Sequence, residues 1–454
     1  MKFGGTSVQT AEARMQAALR VVSAFEQGFA PVVVVSAIGR KGAPYATDTL
    51  IEELRQIDSS IKIEPRELDM MLACGEIFSA VTFVQTLAAL GHKARSFRGG
   101  QAGIRTDGVY GNARIESINP TGILNSIQRG EIPVICGFQG TFAIPGEPGG
   151  ELTTLGRGGS DTTAAAVGAA LGAKAVEIFT DVDGVKTADP DFVPNAPTLA
   201  RVSYEEVAEI AHLGARVLHP RAAEIAMKYE IPLYVKNTFG EGPTTEIIDR
   251  GQVEGRRVTG VTHSGKLVYL EFDLRHATTS HCAELQAKVY NMMARYGVNL
   301  FMINLSPSVI GFAVMRSQYP TVKDLLDGLV APIGEGKPSI YMLQLGDTPS
   351  REAETQAELL GPLGEVVRIP LALTESCTIV SLVGSDFLEN PKVFFDMLRC
   401  LDEANIQVWQ TSNSDLSVSC LVPESETHRA VARLHSQFGL ESIAEAPKQE
   451  TSAG

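Results

Sequence analysis

The segment LGRGGSDTTAAAVGAALGA, residues 155–173, runs a glycine-packed loop directly into an alanine-rich helical pattern, and the apolar run AVEIFT at 175–180 follows at once. Small side chains along such a helix let it lie close on a sheet, and a strand immediately after it supplies that sheet. The same alternation extends outward in both directions. Residues 9–28 have helical periodicity, and PVVVVSA at 31–37 is a short β-branched run suited to a strand buried on both faces. A long helical stretch near 67–91 precedes the apolar run IPVICGF at 132–138, and a helix over 221–229 leads into IPLYVKN at 231–237. Strands alternating with helices define an α/β domain around an open, mostly parallel sheet flanked by helices.

The chain has 454 residues, too many for one ordinary core, so more than one domain is expected. Apolar content of 44% with 20% charged residues describes a soluble globular protein, and a net charge of −14 argues against a general nucleic-acid binder. An anionic ligand must therefore be drawn by local lysines, arginines and helix ends. Six cysteines are scattered with no CxxC pair, which fits buried free thiols in a reducing compartment better than a zinc site or disulfide framework. No apolar run has the length of a membrane span and no signal peptide is evident, so the expected location is cytoplasmic.

The polar, glycine-rich stretch FGEGPTTEIIDRGQVEGRR at 239–257 is read as a linker. It separates a first domain, 1–238, from a region with a faint internal repeat. ARYGVNLFMINLSPSVIGFAV (294–314) aligns without gaps on DEANIQVWQTSNSDLSVSCLV (402–422), each reading as helix end, strand, turn and strand. Two α+β modules are expected, 258–375 and 376–446, followed by a disordered tail at 447–454.

Several stretches carry chemistry. In GRGGSD, Ser160 and Asp161 are favoured helix caps, and a glycine-preceded helix N-terminus accepts anions. Arg157 can fork onto a carboxylate or phosphate. Gly4 and Gly5 beside Lys2 form another possible anion cradle, against the plainer reading of a frayed terminus. FTDVDGVKTADP at 179–190 ends a predicted strand, where its aspartates suit either a ligand or a turn. Glu76 lies among apolar and small residues and needs a cationic partner if buried. Thr47, Asp48 and Ser36 are further polar groups at strand and loop ends. His219 has no partner at motif spacing and reads as structural. GxxxxGK[ST] is absent, and GRGGSD lacks the third glycine of a dinucleotide fingerprint.

Taken in order, KFGGTSV, VSAIG with ATDTL, CGE, GFQG, GRGGSDT, FTDVDG with TADP, and LHPRA make a chain that resembles the aspartokinases of the amino-acid kinase family over residues 2 to about 237. The C-terminal repeat resembles their paired ACT domains. The resemblance implies ATP-dependent phosphorylation of L-aspartate to 4-phospho-L-aspartate with Mg2+, the step leading to lysine, threonine, methionine and diaminopimelate. It implies Lys2, Phe3, Gly4 and Gly5 around the phosphates, with Lys2 and Asp161 near the transferred group. Thr47, Glu76, Arg157, Gly158, Gly159 and Ser160 would hold aspartate. Ser36, Thr180, Asp181, the segment from Lys186 to Asp191, and Arg216 would lie at the nucleotide. At least a homodimer through the ACT modules, and an amino-acid effector, are implied as well.

The chain also departs from that pattern. Relatives carry a short strand ahead of the lysine, which is residue 2 here. The family's usual tyrosine and arginine in GVYTxDPR are Lys186 and Asp191, and its usual lysine in HLGARVLHP is Arg216. The proline-glycine turn before each ACT helix is missing. A sibling kinase for another acid, such as glutamate, and a non-catalytic amino-acid-sensing subunit are the competing readings.

Overall fold

The computed structural model describes all residues except 59, 60, 62, 145, 147–149, 216, 254–256, 276, 278, 307, 327, 328, 335–338, 346–350 and 444–454. The chain divides into two compact units: Met1–Gly260 with Val383–Ser385 and Phe438–Gly454, and Val261–Leu382 with Asp386–Gln437.

The strands of the first unit are β1 (Lys2–Phe3), β2 (Val33–Val35), β3 (Ala94–Phe97), β4 (Ile104–Thr106), β5 (Ile115–Ile118), β6 (Ile132–Cys136), β7 (Gln139–Phe142), β8 (Glu151–Thr154), β9 (Val176–Thr180), β10 (Arg201–Ser203), β11 (Leu233–Asn237) and β12 (Thr245–Ile248). Its helices are α1 (Ala11–Glu26), α2 (Thr47–Ile57), α3 (Pro65–Ala89), α4 (Thr121–Gln128), α5 (Gly159–Leu171), α6 (Tyr204–His212) and α7 (Pro220–Lys228). The main sheet runs β10-β12-β11-β9-β1-β2-β6-β3, parallel at every neighbouring pair except β11–β12. A smaller sheet runs β5-β4-β7-β8. The parallel sheet and its helices match the α/β class read from the alternating pattern.

Local chemistry sets the element ends. Thr10 caps α1 by accepting from the Ala13 N–H at 3.1 Å, and Ser203 and Glu206 form a reciprocal capping box on α6. α5 is bracketed by two glycines in left-handed conformation, Gly158 (φ 69°) and Gly172 (φ 58°). Its small face is required: a Cβ on Gly168 would lie 2.4 Å from Val176 Cγ2. β1 sits between β9 and β2, with Phe3 opposite Phe179 on one side and Val35 on the other. The fully buried Phe3 ring stacks on Phe179 and Phe83, at centroid distances of 4.8 and 5.5 Å. Burial on this scale contributes about 1.5–3 kcal/mol. The stretch read as a linker is not plain connection, because β12 lies within it and joins the main sheet.

The second region holds β13 (Val258–His263), β14 (Leu267–Asp273), β15 (Leu300–Ser306), β16 (Val309–Met315), β17 (Val330–Ile333), β18 (Ser339–Leu345), β19 (Glu365–Gly384), β20 (Gln410–Asn413) and β21 (Ser417–Pro423). Its helices are α8 (Thr279–Arg295), α9 (Tyr319–Leu326), α10 (Arg351–Leu360), α11 (Lys392–Glu403) and α12 (Thr427–Gln437). The internal repeat is visible in these bounds: α8 and α11 end at aligned residues, and β16 and β21 cover the same aligned positions. One sheet runs β15-β16-β14-β19-β18-β17, with β13 and β21 also on β19 and β20 on β21. The divide drawn between residues 375 and 376 falls inside β19, a single strand of 20 residues. Its first part pairs with β14, and Ser381 in its second part meets Ser419 of β21 through their hydroxyls at 2.7 Å. β13 also lies along this second part, the Ser264 N–H donating to Ile379 O at 2.9 Å. By sheet partnership β13 therefore belongs with the later module, although it precedes the earlier one.

Candidate active site

Ligands of open parallel sheets bind beyond the carboxyl ends of the strands, and the predicted residues gather there. The turn after β1 is Gly4–Gly5. A Cβ on Gly5 would lie 2.6 Å from Gly39 O and 2.7 Å from Ala37 O, so this turn packs backbone against backbone on the loop after β2. The Gly39 N–H donates to Gly5 O at 3.0 Å, and the Ser36 N–H donates to Phe3 O at 3.1 Å. Lys2 Nζ stands 2.8 Å from Asp161 Oδ1, at ion-pair distance but outside hydrogen-bond alignment. Both side chains are 12% exposed, which places the pair at a mouth rather than in the core.

Asp161 comes from the first turn of α5. Ser160 and Asp161, expected as caps, lie inside the helix, and the cap position is Gly158, with no side-chain cap bond. Asp161 is thereby free to face Lys2, and its Oδ2 accepts the His219 N–H at 3.3 Å. Gly158 must be glycine on two counts: its φ of 69°, and the His219 ring, which a Cβ would approach within 2.2 Å. A Cβ on Gly159 would lie 2.9 Å from Leu155 Cβ, and Ser160 is buried against Gly137. His219 thus stands at the site rather than apart from it, capping α7 by accepting the Arg221 N–H at its Nδ1. Burial holds its imidazole below the ordinary range, with Asp161 acting in the opposite sense.

Glu76 reaches the site from α3. It is 2% exposed, its Oε1 accepts the Ala37 N–H at 3.0 Å, and its Oε2 has no partner among the described residues. Burial pushes its carboxyl up to about 8, against the opposing effect of the Ala37 N–H. A buried carboxyl with an oxygen unpartnered among the described residues is costly to ionise unless a cation meets it. Thr47 opens α2, half-buried. Arg157 is exposed, and its guanidinium has no partner among the described residues.

The nucleotide-side expectations fare unevenly. Thr180 ends β9, and its hydroxyl donates to Asp181 Oδ1 at 3.2 Å. Asp181 also pairs with Arg40 at 2.8 Å. Phe3 offers only its main chain, because its ring belongs to the core. Lys186 Nζ is already engaged, donating to Ala196 O at 3.2 Å and Thr198 Oγ1 at 3.3 Å. Asp191 sits in an exposed turn, its N–H on Asp189 Oδ1 at 2.9 Å. Asp183 is held by Asn237 Nδ2 at 2.7 Å. Arg216 lies outside the described residues.

Several supporting residues escaped the sequence reading. Asp69, fully buried, accepts from the Gly111 N–H (2.9 Å), the Thr154 N–H (2.7 Å) and the Thr154 hydroxyl (2.7 Å). Arg221 donates to Leu155 O at 3.1 Å and Asn112 Oδ1 at 2.7 Å. Together they tie residues 111–112 to the end of β8 and the residue after it, just ahead of Arg157. The available signal was a second acid, Asp69, seven residues before Glu76 on an apolar helix.

Among the described residues no group of three or more histidine, cysteine or acidic side chains could hold a metal.

Residues 1–237 match the model of the amino acid kinase family, and residues 380–438 match an ACT domain. Aspartokinase 1 of Bacillus subtilis (strain 168) is 34% identical over 445 residues, spanning 97% of this chain and 98% of that one. The aspartokinase of Mycolicibacterium smegmatis is also 34% identical, spanning 97% and 95% of the two chains. The crystal structure of E. coli aspartokinase III in complex with aspartate and ADP superposes with a TM-score of 0.68 at 23% identity, covering 96% of this chain and 98% of that one. The Clostridium acetobutylicum aspartate kinase gives 0.67 at 19% identity, covering 96% and 99%. With both its sequence and its fold matched over nearly their whole length, the chain belongs to the amino acid kinase family, among the aspartokinases.

Proposed function

We propose that the protein transfers the γ-phosphoryl group of ATP to the side-chain carboxylate of L-aspartate, yielding 4-phospho-L-aspartate and ADP. The observation that carries the reading is the Lys2–Asp161 pair beside the Gly4–Gly5 turn, at the carboxyl end of the central strand. A carboxylate nucleophile with a reference pKa near ~3.9 is ionised at neutral pH, so no general base is needed. An oxygen of that carboxylate forms the new bond to phosphorus as the bond to the ADP oxygen breaks. The work left to the protein is alignment and charge neutralisation.

In this reading Lys2 offsets charge on the transferred phosphoryl group, and Gly4, where a Cβ would lie 3.6 Å from Lys2 Nζ, leaves room for phosphate beside that lysine. Magnesium bound with ATP supplies further neutralisation of the phosphates. Arg157, with no partner among the described residues, takes the α-carboxylate; Glu76 takes the ammonium; Thr47 and the Gly158–Ser160 turn complete the aspartate pocket. Ser36, Thr180 and Asp181 stand at the nucleotide. Lys186 can serve ATP only by leaving Ala196 and Thr198, and Arg40 only by loosening its pair with Asp181.

A homodimer through the C-terminal modules and an amino-acid effector belong to the same reading, supported by the internal repeat and the ACT match. A cytoplasmic location is supported by six cysteines that are all free. The deciding experiment is aspartate-dependent ADP release with MgATP, trapping the acyl phosphate with hydroxylamine. Hydroxamate formed with aspartate and not with glutamate supports the reading; none with aspartate from folded protein overturns it.

A further inference from the structure

We propose that Gln139 is a second acceptor for the substrate ammonium, acting beside Glu76; the inference deepens the aspartate kinase reading and rests on it. Gln139 opens β7 and is 1% exposed. Its Nε2 donates to Ala73 O at 3.3 Å, while its Oε1 is buried with no partner among the described residues. Because Ala73 O can only accept, the amide's NH2 end must face it, which fixes Oε1 as the unsatisfied end.

The position on α3 relates this orphan to the other one. Ala73 and Glu76 are three residues apart on a helix and so share a face. Farther along that face Phe83 packs on Phe3 within the sheet, and Glu76 meets Ala37, just past the end of β2. Ala73, preceding both, therefore lies farther out, on the ligand side of the strand ends. Gln139 thus brings one unpartnered acceptor, Oε1, to the same stretch of helix that carries another, Glu76 Oε2. Buried acceptors are rarely left without a donor, and two together indicate a ligand rich in N–H groups. An alkylammonium carries three donors and fits this demand. A neutral amide is the suitable second acceptor, because a second carboxylate beside Glu76 would repel it. The preceding residue holds Gln139 in place: Phe138 has a φ of 68°, and its N–H donates to Thr163 Oγ1 at 3.1 Å.

The test uses steady-state kinetics on the full chain with saturating MgATP. Aspartate is compared with succinate, the same dicarboxylate without the ammonium, read as a competitive inhibitor. Gln139→Met keeps the length of the side chain and removes the acceptor. Aspartate KM should rise about tenfold or more, with succinate inhibition and the KM for MgATP changing less than about twofold. Should Gln139→Met not fold, Gln139→Asn, which withdraws the acceptor by one methylene, is read in the same way. An unchanged aspartate KM overturns the proposal, as does equal weakening of aspartate and succinate, which marks a purely structural role. Absence of aspartate turnover in the unaltered protein is visible before any variant is made, and overturns the kinase reading itself.

Discussion

Replacing Glu76 with glutamine should make the empty protein more stable and the enzyme worse. Glu76 is 2% exposed, and burial pushes its carboxyl from the ordinary 4.5 to about 8. A carboxyl whose folded value is raised gives up stability as pH climbs from its unfolded value through its folded one. The cost is about 1.36 kcal/mol per pH unit, so the unaltered protein forgoes about 3 kcal/mol at pH 7 relative to a neutral side chain. Glu76→Gln keeps the shape and has no charge to bury. Its melting temperature should match the parent near pH 5, exceed it by about 6–12 °C at pH 7, and gain no further above about pH 8. The assay is thermal unfolding of the full chain without ligands from about pH 5 to about pH 9, paired with aspartate kinetics on the same samples. Aspartate KM should rise about tenfold or more in the variant, since a hydrogen bond to a charged group is lost. A stability difference independent of pH, or a variant that melts earlier at pH 8, would refute the account of Glu76 as a buried carboxyl awaiting a cation.

Lys2→Met should lower kcat by about 10²–10³ with little change in aspartate KM, as expected for a group acting on charge at the transferred phosphoryl; matched losses in kcat and KM would place Lys2 elsewhere. Arg157→Ala should raise aspartate KM about ten- to hundredfold while MgATP binding persists, and an unchanged dependence of rate on aspartate removes the residue from the pocket. Gly158→Ala should destabilise the first unit by about 1–3 kcal/mol and cut activity with it, because the new Cβ meets both a left-handed backbone and the His219 ring; a thermal melt equal to the parent's would contradict the packing.

The parts of this fold that were legible are those written in local sequence. The β-branched run at 31–37 became β2, the helical pattern at 67–91 became α3, and the glycines of GRGGSD marked a loop entering a helix. The internal repeat was legible because two helices and the strands after them keep the same spacing. What escaped depends on partners distant in sequence. His219 looks solitary until α7 brings it onto Gly158. Asp69 shows no motif, since its partners are backbone N–H groups of a loop and a strand and the Thr154 hydroxyl, all distant in sequence. Ser160 and Asp161 suited a cap by type, yet the left-handed Gly158 took that place and released Asp161 toward Lys2. β12 was hidden because its run is short and polar-flanked, and its sheet register comes from β10 and β11.

The placement of β13 bears on how the C-terminal half can be taken apart. A fragment starting at residue 376 would carry the second part of β19 with α11, β20, β21 and α12, but would leave its outer strand behind. The row of N–H and C=O groups that β13 covers would then be open along β19, ready to pair with another chain. The covalent order of the polypeptide and the order of its folding units are thus out of step. To obtain the last module as a separate protein, β13 would have to be grafted after α12, in effect a circular permutation of the module.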